Sequence, residues 1–335
     1  MNYLSVCSGI EAATVAWHHM GWNPIAFSEI EKFPSQVLAH HYPNVPNLGD
    51  MTKYKEWELS EPIDILVGGT PCQSFSVAGL RKGLDDPRGN LALTYVGILD
   101  KFRPKWCIWE NVPGVLSSGG GRDFGSFLGA LGEIGYGWAY RVLDAQHFGV
   151  PQRRRRVFVV GCLGNWKSAA EVLFDSHSLS GNTKKGRKTR ERVAYPIADC
   201  APTLCARDSK GVGNYEVAGG GGNVPFVQKA YSIREDATAN NFSATPLEVT
   251  PALQALRPSV QSHHAQTFIA GDYAVRRLTP TECERLQGFP DDYTNIKENC
   301  PDGPRYKALG NSMAVPVMRW IGERINGYKQ SGMES

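Results

Sequence analysis

A cysteine in a loop of small residues is the most reactive arrangement in the chain. Gly68-Gly69-Thr70-Pro71-Cys72-Gln73-Ser74-Phe75-Ser76 follows directly on the mainly apolar run 63–67. In an open α/β sheet, ligands bind beyond the carboxyl ends of the strands. A thiol there is placed for nucleophilic attack; the plainer reading is a small buried apolar residue. Another apolar run ends in Trp109-Glu110-Asn111-Val112-Pro113. A carboxyl group at such a strand end is partly desolvated, which favours its protonated form and readies it to share a proton with a substrate. The alternative is a carboxylate that caps a loop. Pro151-Gln152-Arg153-Arg154-Arg155-Arg156 leads into the run 157–162. Side chains alternate along a strand, so Arg154 and Arg156 share one face and Arg153 and Arg155 the other. One pair then faces a site while the other meets solvent or phosphate.

The fourth arrangement is at the start. Tyr3–Cys7 reads as a strand, Ser8-Gly9-Ile10-Glu11 as a capping box opening a helix that stops at Gly21, and Ile25–Ser28 as a second strand ended by Glu29. A glycine in a strand–helix turn lets a ligand approach the backbone, and an acidic residue about 20 positions later suits ribose hydroxyls. The full G-x-G-x-x-G is absent, so this is either a nucleoside-cofactor turn or merely a tight one.

These loops need strands to carry them. Ile63–Gly69, Trp106–Trp109 and Val157–Cys162 supply further strands, and strands separated by helical stretches imply a mostly parallel α/β sheet. From about 176 to 275 the helical periodicity is lost and Gly, Thr, Ser, Asn and Pro dominate, which reads as a second, smaller, irregular β-rich domain. Regular signals return with Thr279-Pro280-Thr281-Glu282, a capping box with proline at the first helical position, closed by Gly288. A last helix begins near Ser312, takes Pro316 in its first turn, closes at Gly327 and returns to the first domain.

The chain has 335 residues, 41% of them hydrophobic and 21% charged, enough for a core and against wholesale disorder. No apolar run approaches the roughly 20 residues of a membrane helix, and the N-terminus lacks a basic signal-peptide region. The net charge is only +3, yet residues 181–192 hold six basic residues and one acidic. With the arginine tetrad at 153–156, that is either a polyanion contact or, for 181–192, a solvated loop. The eight cysteines form no CxxC pair, which excludes a zinc ribbon or thioredoxin motif and points to a reducing, cytoplasmic compartment.

The four arrangements, in this order, resemble the cytosine-C5 DNA methyltransferase family of bacterial or phage type. The resemblance continues in Arg276–Tyr293 and in Leu309–Pro316, and covers about 1–162 and 276–325. It implies an S-adenosylmethionine-dependent methyltransferase (Rossmann-like) sheet. Residues 1–175, completed by 305–335, would form the catalytic and cofactor-binding domain, and 176–304 the target-recognition domain and hinge. Cys72 would be the nucleophile that adds to C6 of an extruded cytosine. Glu110 would hold N3 and the exocyclic amine. Arg156 would bond O2 with Arg154 nearby, and Asn111 and the Pro71 carbonyl would order the loop or a proton-accepting water. The cofactor, S-adenosyl-L-methionine, leaving as S-adenosyl-L-homocysteine, would meet Cys7, Ser8, Gly9, Ile10, Glu29, Ile30, Asp50, Met51, Gly69, Leu91, Asn311 and Ser312. Gln73, Ser76, Arg88, Lys184, Lys185 and Arg187 would contact DNA. The sequence departs from the family at Cys7, where an aromatic often stacks on adenine, and at Glu11-Ala12, which replace glycines.

The implied partner is double-stranded DNA, bound by a cytoplasmic monomer with no metal and no membrane; a cognate restriction endonuclease is a further implied partner. Other readings stay open: a cytosine-C5 methyltransferase acting on RNA, a catalytically silent DNA-binding regulator, and a small-molecule enzyme.

Overall fold

The computed structural model describes residues 1–71, 91–174, 201–202, 230–235, 242–247, 266–270, 275–276 and 278–330. The chain divides into two compact units: Met1–Leu143, Arg155–Asn182 and Val317–Ser335 in the first, and Asp144–Arg154 and Thr183–Pro316 in the second.

In the first unit β1 (Asn2–Val6), α1 (Ala12–Trp17), β2 (Asn23–Ser28), α2 (Lys32–His41), β3 (Ile65–Gly68), α3 (Leu91–Phe102), β4 (Trp106–Asn111), α4 (Arg122–Glu133) and β5 (Tyr136–Asp144) follow one another. After β6 (Gln152–Arg153), a strand of the second unit, come β7 (Arg155–Leu163) and α5 (Trp166–Leu173). The first unit's sheet has the order β2-β1-β3-β4-β7-β5. β1 to β4 are parallel, and β7 runs antiparallel to β4. This is the mostly parallel α/β sheet that the sequence implied.

The sheet is buried on both faces, which is why its strands read as apolar runs. Leu4, Val6, Leu66, Trp109, Val157 and Val159 pack with Tyr95, Val96 and Leu99 of α3 and Phe124, Phe127 and Leu131 of α4. From β1's other face, the Tyr3 hydroxyl bonds Thr14 Oγ1 of α1 at 2.6 Å. The last helix, α8 (Val315–Gln330), contributes buried Ile321 and Ile325 to this unit. Its Met318 carbonyl accepts from Trp17 Nε1 at 2.8 Å, and Arg324 donates to the Phe174 carbonyl at 2.8 Å. Pro316 does sit in the first turn, but Gly327 does not end the helix, which runs on to Gln330. One glycine costs a helix only about 1 kcal/mol.

The expected capping box at Ser8 is not formed. Gly9 (φ 58) and Glu11 (φ 65) are left-handed, so the helix cannot start before Ala12. Glu11 is itself the N-cap, accepting from Thr14 N at 3.2 Å, and the Ser8 hydroxyl donates to the Ser5 carbonyl at 2.9 Å instead. The helix gives way to a 3-10 turn, His18–Met20, that Gly21 stops at φ 66, as the sequence anticipates.

In the second unit, β9 (Ala230–Glu235), β10 (Phe242–Leu247), β11 (Gln266–Ala270) and β12 (Val275–Arg276) form an antiparallel sheet in the order β10-β9-β11-β12. β8 (Ala201–Pro202) pairs with β6. Next come α6 (Pro280–Gln287) and α7 (Asp302–Asn311). The capping box at α6 is present: Thr279 Oγ1 accepts from Glu282 N at 3.2 Å, and Glu282 Oε2 accepts from Thr279 N at 2.6 Å. Gly288, left-handed at φ 81, closes α6.

Candidate active site

Strand register gathers the functional loops of the first unit. Val6 is level with Ser28 of β2 and Gly68 of β3, and Gly68 is level with Trp109 of β4. The turns after β1, β2, β3 and β4 therefore open at one edge of the sheet. The order 2-1-3 reverses between β1 and β3, the switch point at which ligands bind in such sheets. Because β7 is antiparallel, its start lies at that edge: Asn111 pairs with Val157, one residue past Arg156. Gly68 must lack a side chain, since a Cβ there would run into the Val6 carbonyl.

The turn after β1 is held by its neighbours. Cys7 (φ 48), Gly9 and Glu11 are all left-handed, a conformation costing about 1–2 kcal/mol at each non-glycine position. Strain of this kind clusters at functional sites. Gly9 N donates to Glu29 Oε2 at 2.8 Å, and Glu31 N to Glu29 Oε1 at 2.7 Å. Both carboxylate oxygens are thus fixed, and each keeps a lone pair for a hydroxyl. Burial pushes the Glu29 carboxyl above the usual range. Ser28 Oγ donates to the Gly49 carbonyl at 2.6 Å, which brings in Asp50 and Met51. Asp50 Oδ1 caps the 3-10 turn Met51–Glu56 through Thr52 N at 2.9 Å. Cys7 Sγ lies 3.4 Å from Met51 Sδ. Ile30 is 74% exposed, an apolar side chain on open display next to Glu29, whereas the Ile10 side chain is fully buried and offers a ligand only its backbone.

Sequence reasoning missed Asn47. Its Oδ1 accepts from Glu29 N at 3.0 Å and Gly49 N at 3.1 Å, and its Nδ2 donates to the Glu29 carbonyl at 3.0 Å. It joins the two acidic loops. An asparagine two residues before a glycine is the signal that could have shown it.

At the β3–β4–β7 corner, Glu110 Oε1 lies 3.0 Å from Arg156 Nε, and both side chains are 10% exposed. The carboxyl is paired, not merely desolvated. Oε1 has no aligned hydrogen bond among the described residues and so retains acceptor capacity. Asn111 Nδ2 donates to the Thr70 carbonyl at 2.8 Å, and Trp109 Nε1 to Thr70 Oγ1 at 3.1 Å. β4 thereby anchors the residues that lead through Pro71 to Cys72. The Asn111 side chain thus holds Thr70, one residue before Pro71. Gly69 lies in this turn, and Leu91 opens α3, packed against the core. The arginine alternation holds: Arg154 and Arg156 are buried, Arg153 and Arg155 exposed.

In the second unit, the Arg154 guanidinium donates to the carbonyls of Gly310 and Ser312. Asn311 is exposed and Ser312 buried. Cys72, Gln73, Ser76, Arg88, Lys184, Lys185 and Arg187 lie outside the described residues. Burial pushes the thiols of Cys7 and Cys107 up to about 12 and raises that of Cys162, which keeps all three as neutral thiols. Among the described residues, no helix is long and apolar enough to cross a membrane.

A switch-point sheet with a glycine turn after β1 and an acidic residue after β2 is that of a nucleoside-cofactor enzyme. The sequence profile described as C-5 cytosine-specific DNA methylase matches residues 1–327, and the chain belongs to that family. Membership makes it an enzyme of DNA cytosine methylation with S-adenosylmethionine as methyl donor. It is 38% identical to the orphan methyltransferase M.SPRI of Bacillus phage SPR, with 96% of each chain covered. It is 30% identical to the type II methyltransferase M.NgoPII of Neisseria gonorrhoeae, over 95% of this chain and 92% of the relative. A protein of Escherichia phage P1 named DNA N-6-adenine-methyltransferase is 36% identical over 96% of this chain, which spans 61% of that relative. The crystal structure of S. pombe Dnmt2 methyltransferase superposes with a TM-score of 0.60 at 16% identity, covering 99% of this chain and 100% of that one. At that identity the likeness concerns the fold. The loop residues fit the cofactor: the anchored Glu29 carboxylate can take ribose hydroxyls, and Ile30 offers an exposed apolar surface.

Proposed function

We propose that this chain is a DNA (cytosine-5-)-methyltransferase that modifies an extruded cytosine within a specific duplex sequence through a covalent adduct between Cys72 and C6. The buried Glu110–Arg156 pair beside the anchored base of the Cys72 loop carries the reading. C5 of cytosine is a poor nucleophile. Addition of the Cys72 thiolate at C6, with N3 taking a proton at Glu110, makes C5 enamine-like. Bound S-adenosylmethionine supplies the electrophilic methyl group. The C5 proton then passes to a water held in the loop that Asn111 orders, the thiolate is expelled as the C5–C6 double bond reforms, and N3 returns its proton to Glu110. Arg156 holds Glu110 and bonds the base at O2. Glu29 binds the ribose, and Asp50, Met51 and Ile30 face the adenine. The target carbon lies inside a stacked duplex, so the base must be flipped out. Residues 176–304 select the sequence, with Lys184, Lys185 and Arg187 on phosphate; Gln73, Ser76 and Arg88 meet the DNA around the flipped base.

The name of the phage P1 relative specifies adenine N-6. An exocyclic amine is itself the nucleophile and takes a methyl group without a cysteine adduct, so the Cys72, Glu110 and Arg156 set supports cytosine C5 for this chain. Bisulfite sequencing of DNA from cells expressing the protein tests this directly. One protected cytosine within a recurring motif is expected. N6-methyladenine in digested DNA without 5-methylcytosine, or 5-methylcytosine confined to RNA, would overturn the proposal.

A further inference from the structure

β2 is the outer strand of the first unit's sheet, and a short stretch of backbone lies along its free side. Phe27 N donates to the Pro46 carbonyl at 2.9 Å and Leu48 N to the Phe27 carbonyl at 2.7 Å, a parallel bridge centred on Asn47. In a parallel ladder such bonds recur at even spacing, on every second residue. The next rung would join Glu29 to the residues on either side of position 49. Gly49, left-handed at φ 71, turns the chain aside at that point, and Glu29 is bonded in another way.

The Asn47 side chain takes the place of that rung. Its Oδ1 accepts from Glu29 N at 3.0 Å and its Nδ2 donates to the Glu29 carbonyl at 3.0 Å. One amide thus meets both backbone groups of one residue, as a neighbouring strand would. The amide is itself held in this orientation. Oδ1 also accepts from Gly49 N at 3.1 Å, and Nδ2 also donates to Ser35 Oγ at 3.2 Å, while the Ser35 hydroxyl donates to the Glu29 carbonyl at 3.2 Å. Asparagine suits the place because it carries a donor and an acceptor on one short planar group. Glu29 stands one residue past the end of β2, where the pairing with β1 has stopped at Ser28. Its carboxylate, bonded to Gly9 N, is aimed only as well as its own backbone is held.

We propose that Asn47 is a positioning residue: its amide replaces the missing rung, fixes the Glu29 backbone and so aims the Glu29 carboxylate at the ribose of the methyl donor. This rests on the function proposed above, in which Glu29 is the ribose ligand. The test is calorimetry on the full chain with S-adenosylhomocysteine and with its 2′,3′-dideoxyribose analogue, together with steady-state kinetics on duplex substrate. The unaltered chain should prefer the ribose form by about tenfold or more, the scale of a hydrogen bond to a charged group. Asn47→Ala should weaken S-adenosylhomocysteine by about three- to tenfold, the scale of one lost hydrogen bond, and leave the dideoxy analogue nearly unmoved. KM for S-adenosylmethionine should rise in the same proportion while kcat changes by less than about threefold, because the interaction is lost equally from ground and transition states. Asn47→Asp keeps the acceptor and loses the donor, so it should restore only part of the preference. On a Glu29→Ala background Asn47→Ala should add little, because both act through one group. Equal weakening of both ligands in Asn47→Ala, or additive losses in the double variant, would reduce Asn47 to general scaffolding and refute the proposal. Full recovery in Asn47→Asp would do the same, leaving the side chain only its bond to Gly49 N. If Glu29→Ala abolishes the ribose preference and Asn47→Ala preserves it, this inference fails alone. If Glu29→Ala preserves it, or the unaltered chain binds no S-adenosylmethionine, the proposed reading of the site fails first.

Discussion

Replacing Glu11 by glutamine should change how stability depends on pH. Glu11 stands at the N-cap of α1, 1% exposed, where the family often has glycine. Burial pushes its carboxyl from 4.5 up to about 7, while hydrogen bonds from Ser5 and Thr14 pull it part of the way back. Between those two values the folded chain keeps a proton that the unfolded chain has released. The stabilisation is therefore complete below the unfolded value and is lost as pH rises through about 7. One pH unit of such a difference is worth about 1.4 kcal/mol, so the native state should lose about 2–3 kcal/mol between about pH 5 and about pH 8 from this group. Glutamine keeps an oxygen for Thr14 N and carries no proton to lose. Any constant offset from its amide moves both ends of the curve alike. Urea denaturation of both proteins across that range, followed by tryptophan fluorescence, should give a difference that grows in favour of the variant as pH rises. Parallel curves would show that Glu11 is not buried as a carboxyl group in this state.

Three further outcomes are expected. Glu29→Ala should weaken S-adenosylmethionine binding by about 1–3 kcal/mol, the range for hydrogen bonds to a charged group; unchanged calorimetric affinity in a folded variant would remove Glu29 from the site. Duplex DNA with 5-fluorocytosine at the target cannot release its C5 substituent as a proton, so it should trap the enzyme in a complex that survives denaturing electrophoresis. Cys72→Ser should abolish the trap and Cys7→Ser should spare it, because the Cys7 thiol is held neutral at about 12; an adduct at any other cysteine would refute the assignment. Neutralising Lys184, Lys185, Arg187 and Lys188 together should weaken binding to all duplex sequences and flatten its salt dependence; an unchanged slope would make that run a solvated loop.

The two tetrads with a capping-box pattern show why one local signal was legible and the other was not. At Thr279 the next residue is proline, which fixes a helical φ at the first position, and the box forms. At Ser8 the next residue is Gly9, which is free to turn left-handed, and it does so because Glu29 holds its N–H. That contact links residues 20 apart, and no local pattern contains it. The sheet edge was legible for the opposite reason: strands buried on both faces are apolar throughout, so their ends, and the polar residues there, stand out. The antiparallel sense of β7 was not legible, because an apolar run reads the same in either direction. Alternation in 153–156 was, since it depends only on the period of the strand. Asn47 escaped notice because its role comes from partners brought together by the fold.

The arginine run also imposes a counting rule on the gene. Arg156, at the start of β7, is buried beside Glu110, whereas Arg155 just before it is exposed. Inserting or deleting one codon just before Arg156 would exchange inside for outside at the start of β7, exposing the Glu110 partner and driving an unpaired guanidinium inward. A two-codon change would restore the alternation but move one arginine a full step along β4, away from its carboxylate. Length in this stretch is therefore as constrained as residue identity, and variants that change it should be rare among functional homologues.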